Sequence, residues 1–307
     1  MSHGPFHQEE RIVTTRPFVD TLGRAVQIPH APQRLVSLVP SITEVLFSFG
    51  GGQQVVGITD YCTEPAAAVA TKTKIGGTKN PDIATILALR PELVFAVAEE
   101  NRRQDVEQLA TAGVPVYVFA PHTVRDGIDL LWRVADLLDC RSEVTEQIQA
   151  IEQDYTETVA RVARHQRVRV FCPIWKDPYM TINEDTYVHD VLQVCGGDNI
   201  FAHRQRRLPL AADLGQQPET TGERYTKRDR RYPRITLEEM ATLHPEVVLL
   251  PDEPYVFSQA DMADFMPFSE VPAVRDERIF LIDGKMVSWY GSRIGHSLRT
   301  LRALLLR

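Results

Sequence analysis

Cysteine is scarce in this 307-residue chain. The four present, Cys62, Cys140, Cys172 and Cys195, form neither a CxxC pair nor a metal-ligand spacing. This argues against a disulfide framework or a zinc cradle and predicts buried or free thiols. No stretch approaches the ~20 consecutive apolar residues of a membrane span, so insertion as a helix is not expected. Positive charge is not in excess either. The net charge is -7, and the surface as a whole is not built for nucleic acid or anionic lipid. The nine histidines do not cluster, and nothing in the spacing makes His122, His189 and His296 converge. No intrinsic metal or cofactor is expected. GxSxG, Walker A, GxGxxG and HExxH signatures are missing, so the chain reads as a non-enzyme without catalytic residues. Gly50-Gly51-Gly52 follows a helical pattern instead of opening one, which makes it a poor phosphate cradle. Residues 1–10 lack a basic n-region, an apolar h-region and a lipid-attachment cysteine. The expected location is cytoplasmic if Met1 is the natural start, and periplasmic or otherwise extracytoplasmic if it is not.

What the chain does have is one pattern written twice. Ile83–Phe95 reads as a helix, a Pro stop at Pro91-Glu92 and an apolar strand. Leu237–Leu249 repeats the order, with Pro245-Glu246 at the stop. Proline clashes with the preceding helical turn, and an all-apolar run after it suits a strand buried on both faces. Two related α/β lobes leave a crevice, which is where ligands sit.

The expected organisation follows from the punctuation. Residues 1–17 are a flexible N-terminus and 18–125 an N-terminal α/β lobe. The lobe opens with a hairpin over Phe18–Ile28 and a strand over Arg34–Val39. A helix from Pro40 follows, with Ser41 as N-cap and Glu44 completing a capping box. Residues 126–166 carry apolar positions at helical spacing, with a break placed near Asp139–Ser142. They read as a connecting backbone helix, and about 40 residues would span ~60 Å. Residues 167–307 form a C-terminal α/β lobe with a long basic loop at 203–234, solvated or acting as a lid. The fold class is α/β: two Rossmann-like lobes with mainly parallel sheets, joined by a single long backbone helix.

Three segments resemble the substrate-binding proteins of ABC importers for vitamin B12 and ferric siderophores. They are Val19–Val26 with Pro29, Pro32 and Arg34–Leu38; the paired Leu-x-Pro-Glu units; and Val191–Phe201. The resemblance runs from about Val19 to Leu306. It implies two lobes on one stiff helix and a monomer that binds a small molecule: a corrinoid such as cobalamin, or a ferric chelate. A metal-ion receptor is the alternative on the same scaffold. In the cobalamin branch a Trp stands shortly before the first Leu-x-Pro unit, where this chain has Thr78 and Lys79, and another follows at the position of Val97. The resemblance also implies an ABC permease partner, met by one Glu near the start of each Leu-x-Pro helix. The second-lobe position is Glu238. The first-lobe position is Ala84, and Asp82, two residues earlier, either docks or caps its helix. With the N-terminus, this points to a relative acting in the cytoplasm; the alternative is an exported importer subunit.

Ligand contacts are expected from loops at strand C-termini, where crevices form in open α/β sheets. Tyr61 follows the Val55–Ile58 strand, Lys79 lies shortly before the first Leu-x-Pro unit, and Glu99 and Asn101 follow Leu93–Ala98; all four are candidate contacts. Trp175 and Tyr179 occupy the first loop of the second lobe. Lys285, Trp289, Tyr290 and Arg293 precede the last helix. Aromatic faces suit a large flat macrocycle, and Arg or Lys suits its carboxylate or phosphate. The competing reading places each aromatic in the packing of its own lobe.

Overall fold

Short runs of Val, Ile, Leu and Phe, each followed by an amphipathic stretch, form parallel strands with helical crossovers. The computed structural model describes residues 14–220 and 228–306. It divides into two compact units. One comprises the residues up to Ala120 together with Arg133–Val144, and the other Pro121–Trp132 together with Thr145 onward. The flexible N-terminus expected over residues 1–13 lies outside the described residues. Residues 15–17, assigned to the same tail, are paired instead: strand β1 (Thr15–Val19) lies antiparallel to β2 (Ala25–Pro29).

In the first unit, β3 (Leu35–Ser37) leads into α1 (Pro40–Ser48), followed by β4 (Val55–Ile58) and α2 (Ala66–Val69). The short strands β5 (Thr73–Lys74), β6 (Gly76–Gly77) and β7 (Asn80–Pro81) come next. Then follow α3 (Ile83–Ala88), β8 (Leu93–Val97), α4 (Arg103–Thr111) and β9 (Val116–Phe119). The sheet is parallel with order β5-β4-β3-β8-β9. All five residues of β8 are buried, as its unbroken apolar run predicts.

The start of α1 differs from expectation. Val39 is the N-cap residue and Pro40 occupies the first turn, so Ser41 lies one step inside the helix and caps nothing. Proline has the right φ for that position and lacks the N–H that would otherwise need a partner, so it sets the boundary. The Ser41 hydroxyl is buried without a hydrogen-bond partner.

The helical stretch breaks where the sequence placed the break. Helix α5 (Val124–Leu138) ends with Asp139 at φ 60°, and the Cys140 N–H reaches back to Ala135 O at 3.0 Å. This left-handed stop is one that Asp tolerates better than most residues. Helix α6 (Arg141–Val162) then folds back: Trp132 Nε1 donates to Glu152 at 3.0 Å, and Arg125 pairs with the same carboxylate at 3.4 Å. The long helix is therefore α6, whose 22 residues span ~33 Å, instead of 40 residues in line.

The second unit continues with β10 (Val168–Phe171), α7 (Tyr187–Val194), β11 (Gly197–Asn199), α8 (Leu210–Asp213) and α9 (Leu237–Thr242). After these come β12 (Val247–Pro251), α10 (Pro272–Arg275), β13 (Ile279–Ile282), α11 (Lys285–Ser288) and α12 (Ile294–Leu305). Its parallel sheet has order β11-β10-β12-β13, the same second-first-third-fourth order as β4-β3-β8-β9. A core of Phe171, Phe201, Met240, Val248, Leu250 and Phe265 underlies it.

The duplication extends to side chains. Arg34 caps the carbonyls of Leu89 and Arg90, and Arg169 Nε reaches His244 O at 2.9 Å. The Glu92 and Glu246 amides donate back to Arg34 O and Arg169 O, each at 2.8 Å. Arg90 and His244, each just before its Pro, both have positive φ. A cation on the last carbonyls of a helix is favourable for its dipole.

All four cysteines are free, and burial pushes the Cys172 and Cys195 thiols up to about 12. The described part of the 203–234 loop is built and its charges are largely paired. The section of that basic segment at 221–227 lies outside the described residues.

Candidate functional site

Both sheets reverse their winding direction beside the first strand: between β3 and β8 in one unit, and between β10 and β12 in the other. Ligand crevices form at the C-terminal ends of strands at such switch points. Glu99 and Asn101 follow β8, and Trp175 and Tyr179 follow β10, at these switch points; Tyr61 follows β4, and Lys285, Trp289, Tyr290 and Arg293 follow β13, one strand away.

In the first unit, Tyr61 lies on the turn after β4 and is 63% exposed. Lys74 Nζ holds that turn from below, donating to Thr59 O at 3.3 Å and Cys62 O at 3.2 Å. Gly77 permits the placement, because a Cβ there would lie 3.3 Å from the Tyr61 ring and 2.5 Å from Asn80 Oδ1. Asn101 is buried at the switch point. Its Oδ1 accepts the Val97 N–H at 2.8 Å, and its Nδ2 donates to Leu38 O at 3.2 Å and Thr78 O at 3.0 Å. Its amide thus ties three loops together. Lys79 donates to the Glu99 carbonyl, which brings those two predicted residues side by side. Asp82 caps α3, accepting from Thr85 N at 3.0 Å and Thr85 Oγ1 at 2.7 Å; these bonds hold its carboxyl below the usual range.

In the second unit, residues 174–180 form a tight hairpin. Ile174 N donates to Met180 O at 2.8 Å, and Met180 N donates to Trp175 O at 3.0 Å. It presents Trp175 at 44% exposure, with its ring edge-on to Tyr255 at 5.8 Å. Tyr255 leans on Phe257 at 4.7 Å, and Phe257 stacks on Tyr179 at 6.3 Å. The Tyr179 hydroxyl donates to Asp264 Oδ2 at 2.7 Å. Lys176 Nζ sits 2.7 Å from both Asp261 and Asp264, and those bonds hold both carboxyls below their usual range. The exposed Trp therefore stands on an aromatic column clamped by two ion pairs.

A second cluster forms after β13. Trp289 is 7% exposed, with Arg293 Cζ 5.0 Å and Lys285 Nζ 5.8 Å from its ring centre. Asp283 lies 3.5 Å from Lys285 and 3.6 Å from Arg293. Behind the ring, Glu253 accepts from Ser288 Oγ at 2.6 Å and from the indole N–H, and burial pushes its carboxyl upward. Lys285, Trp289 and Arg293 are thus one group. Tyr290 is apart from it, buried edge-on against Tyr187 at 5.5 Å. Glu238 is exposed on the first turn of α9, and its neighbour Glu239 pairs with Arg204 at 3.1 Å.

Sequence reasoning missed Glu253, Tyr255, Phe257 and Lys176. A signal was present: Pro251-Asp-Glu-Pro-Tyr-Val-Phe257 follows an all-apolar strand at the position in its repeat that the Glu99–Asn101 loop has in the first. Among the described residues, no group of three His, Cys, Asp or Glu side chains is placed to hold a metal ion. None of the helices described is long and apolar enough to cross a membrane.

The family model of the periplasmic binding proteins matches residues 35–286. The chain belongs to that family. Its members bind solutes for ABC transporters, and this one is a binding protein, not an enzyme. It is 23% identical over 260 residues to the vitamin B12-binding protein of Vibrio parahaemolyticus, a match covering 83% of each chain. Among solved structures, the periplasmic vitamin B12-binding protein BtuF of Vibrio cholerae superposes with a TM-score of 0.70 at 19% identity. That match covers 90% of this chain and 97% of the other. The periplasmic haem-binding protein RhuT of Roseiflexus sp. RS-1 gives 0.71 at 20% identity, covering 89% and 97%. These two likenesses establish the shared fold.

Proposed function

We propose that this binding protein takes up a bulky, flat, metal-carrying ligand: a corrinoid, a haem-like macrocycle or a ferric chelate. The observation that carries this reading is Trp175, an indole 44% exposed at a strand C-terminus on a rigid aromatic and ionic support. Tyr61, exposed at the equivalent end of the other sheet, supports it. An aromatic face held toward solvent on a rigid support is placed to stack on a ligand ring, and a macrocycle offers a face of matching size. Arg293 and Lys285 supply cations for an acidic substituent, and the buried Trp289 props both. The metal arrives inside the ligand. The curated B12-binding relative and the haem- and B12-binding structural neighbours agree with this class.

Delivery to a permease is the second part of the proposal. Glu238 is exposed on the α9 surface and fits a docking carboxylate, whereas Asp82 is committed to capping α3. The ligand class is tested by titrating the full chain with hydroxocobalamin, haemin and a ferric catecholate while recording visible spectra. The expected result is saturable 1:1 binding of one of them with a shifted absorption band. If all three elute separately from the protein on gel filtration with unaltered spectra, the reading is wrong.

A further inference from the structure

Much of the described part of the basic loop after β11 is internally wired. Asp213, at the end of α8, is 1% exposed. Its Oδ1 accepts the Arg207 N–H and its Oδ2 the Arg234 N–H, both at 2.8 Å. One carboxyl group thereby holds the 206–207 segment beside residue 234. Arg204 fills the remaining capacity of Asp213 at 3.2 Å and also pairs with Glu239 at 3.1 Å. Arg230 pairs with Glu219 at 2.9 Å, and Arg231 with Asp229 at 2.7 Å. Each acid in the cluster already has its arginine.

Arg206 and Arg234 remain. Arg206 Nε and Arg234 Nη1 are shielded from solvent and have no hydrogen-bond acceptor among the described residues. Burial, followed by the neighbouring Arg206 charge, lowers the Arg234 guanidinium from its usual range, with Asp213 opposing. Asp229 and Asp213 act on Arg206 and Arg234 without taking these two N–H groups, so neighbouring guanidinium groups each keep a buried donor that an anion would complement.

We propose that Arg206 and Arg234 form an anion-binding site for a carboxylate or phosphate group of a small molecule. The site lies wholly within the second unit and does not depend on the macrocycle or chelate reading. The natural anion is either a phosphate ester or a carboxylic acid, which share the planar or tetrahedral oxygens a guanidinium fork recognises.

The test is isothermal titration of the full chain with inorganic phosphate and, separately, succinate, against potassium chloride at matched ionic strength. The parent is expected to show saturable binding of at least one. Saturation by phosphate alone assigns the site to phosphate compounds, and saturation by succinate alone to carboxylates. R206Q and R234Q, each checked for folding by circular dichroism, should weaken that binding about tenfold or more. Without anion, R206Q should melt no lower than the parent, because one repelling charge has been removed. The proposal is overturned if the parent shows no saturable heat above chloride, or if the R206Q/R234Q double variant keeps the parent's affinity. A lower melting temperature of anion-free R206Q also overturns it, since the protein itself would then be holding that guanidinium.

Discussion

Glu253 shows what a buried carboxyl does at the edge of the site. It accepts hydrogen bonds from Ser288 and the Trp289 indole, yet burial raises its pKa above the ordinary glutamate value. The folded chain therefore holds this proton more tightly than the unfolded chain does. Its contribution to stability is fully present below the ordinary glutamate range and is lost as pH rises through the raised value. E253Q keeps an acceptor oxygen and removes the ionisation. Its melting temperature should exceed the parent's at pH 8 and approach it at pH 4, measured by differential scanning fluorimetry. An equal offset at both pH values would contradict the argument. Sequence placed Trp289, Lys285 and Arg293 near one another because they are close along the chain. Glu253 was invisible, because its contact with Ser288 spans 35 residues and depends on β12 and β13 pairing in register.

The helix–Pro–strand element was legible because its signals are local. A Pro stop, a residue at positive φ before it and an all-buried strand after it recur in both copies. The arginines that fasten those helices were not legible, since Arg34 and Arg169 act across 55 and 75 residues. The break at Asp139 was legible in position but not in consequence: no periodicity says that α6 folds back along α5. Ser41 was misread because Pro40 claimed the first turn. The two copies differ where docking is proposed. Helix α9 begins with exposed Glu238, and the corresponding position in α3 is exposed Ala84. If permease arginines meet these positions, A84E adds a second exposed ion pair. Such pairs contribute roughly 0.2–1 kcal/mol, so affinity for the cognate permease should rise about 1.4- to 5-fold. Equal binding of parent and A84E in a surface-based assay would remove this docking mode.

At the scale of the molecule, the repeated helix–Pro–strand pattern appears in two units whose sheets share one strand order. The basic loop was visible as charge but not as a wired structure, because the hub Asp213 looks like any other loop aspartate until it is buried. Which strand-end aromatics face solvent was equally hidden: residue type alone cannot separate Trp175 from Trp289, at 44% and 7% exposure. The exposed indole of Trp175 is proposed as a principal contact of a macrocyclic or chelate ligand. The direct measurement is tryptophan quenching by whichever of hydroxocobalamin, haemin or a ferric catecholate binds, compared among parent, W175F and W132F. W175F should reduce both the amplitude and the affinity, the latter about tenfold, as expected for loss of an aromatic anchor. W132F, whose indole is bonded to Glu152 in the helix pair, should bind as the parent does. Unchanged affinity in W175F would contradict the claim.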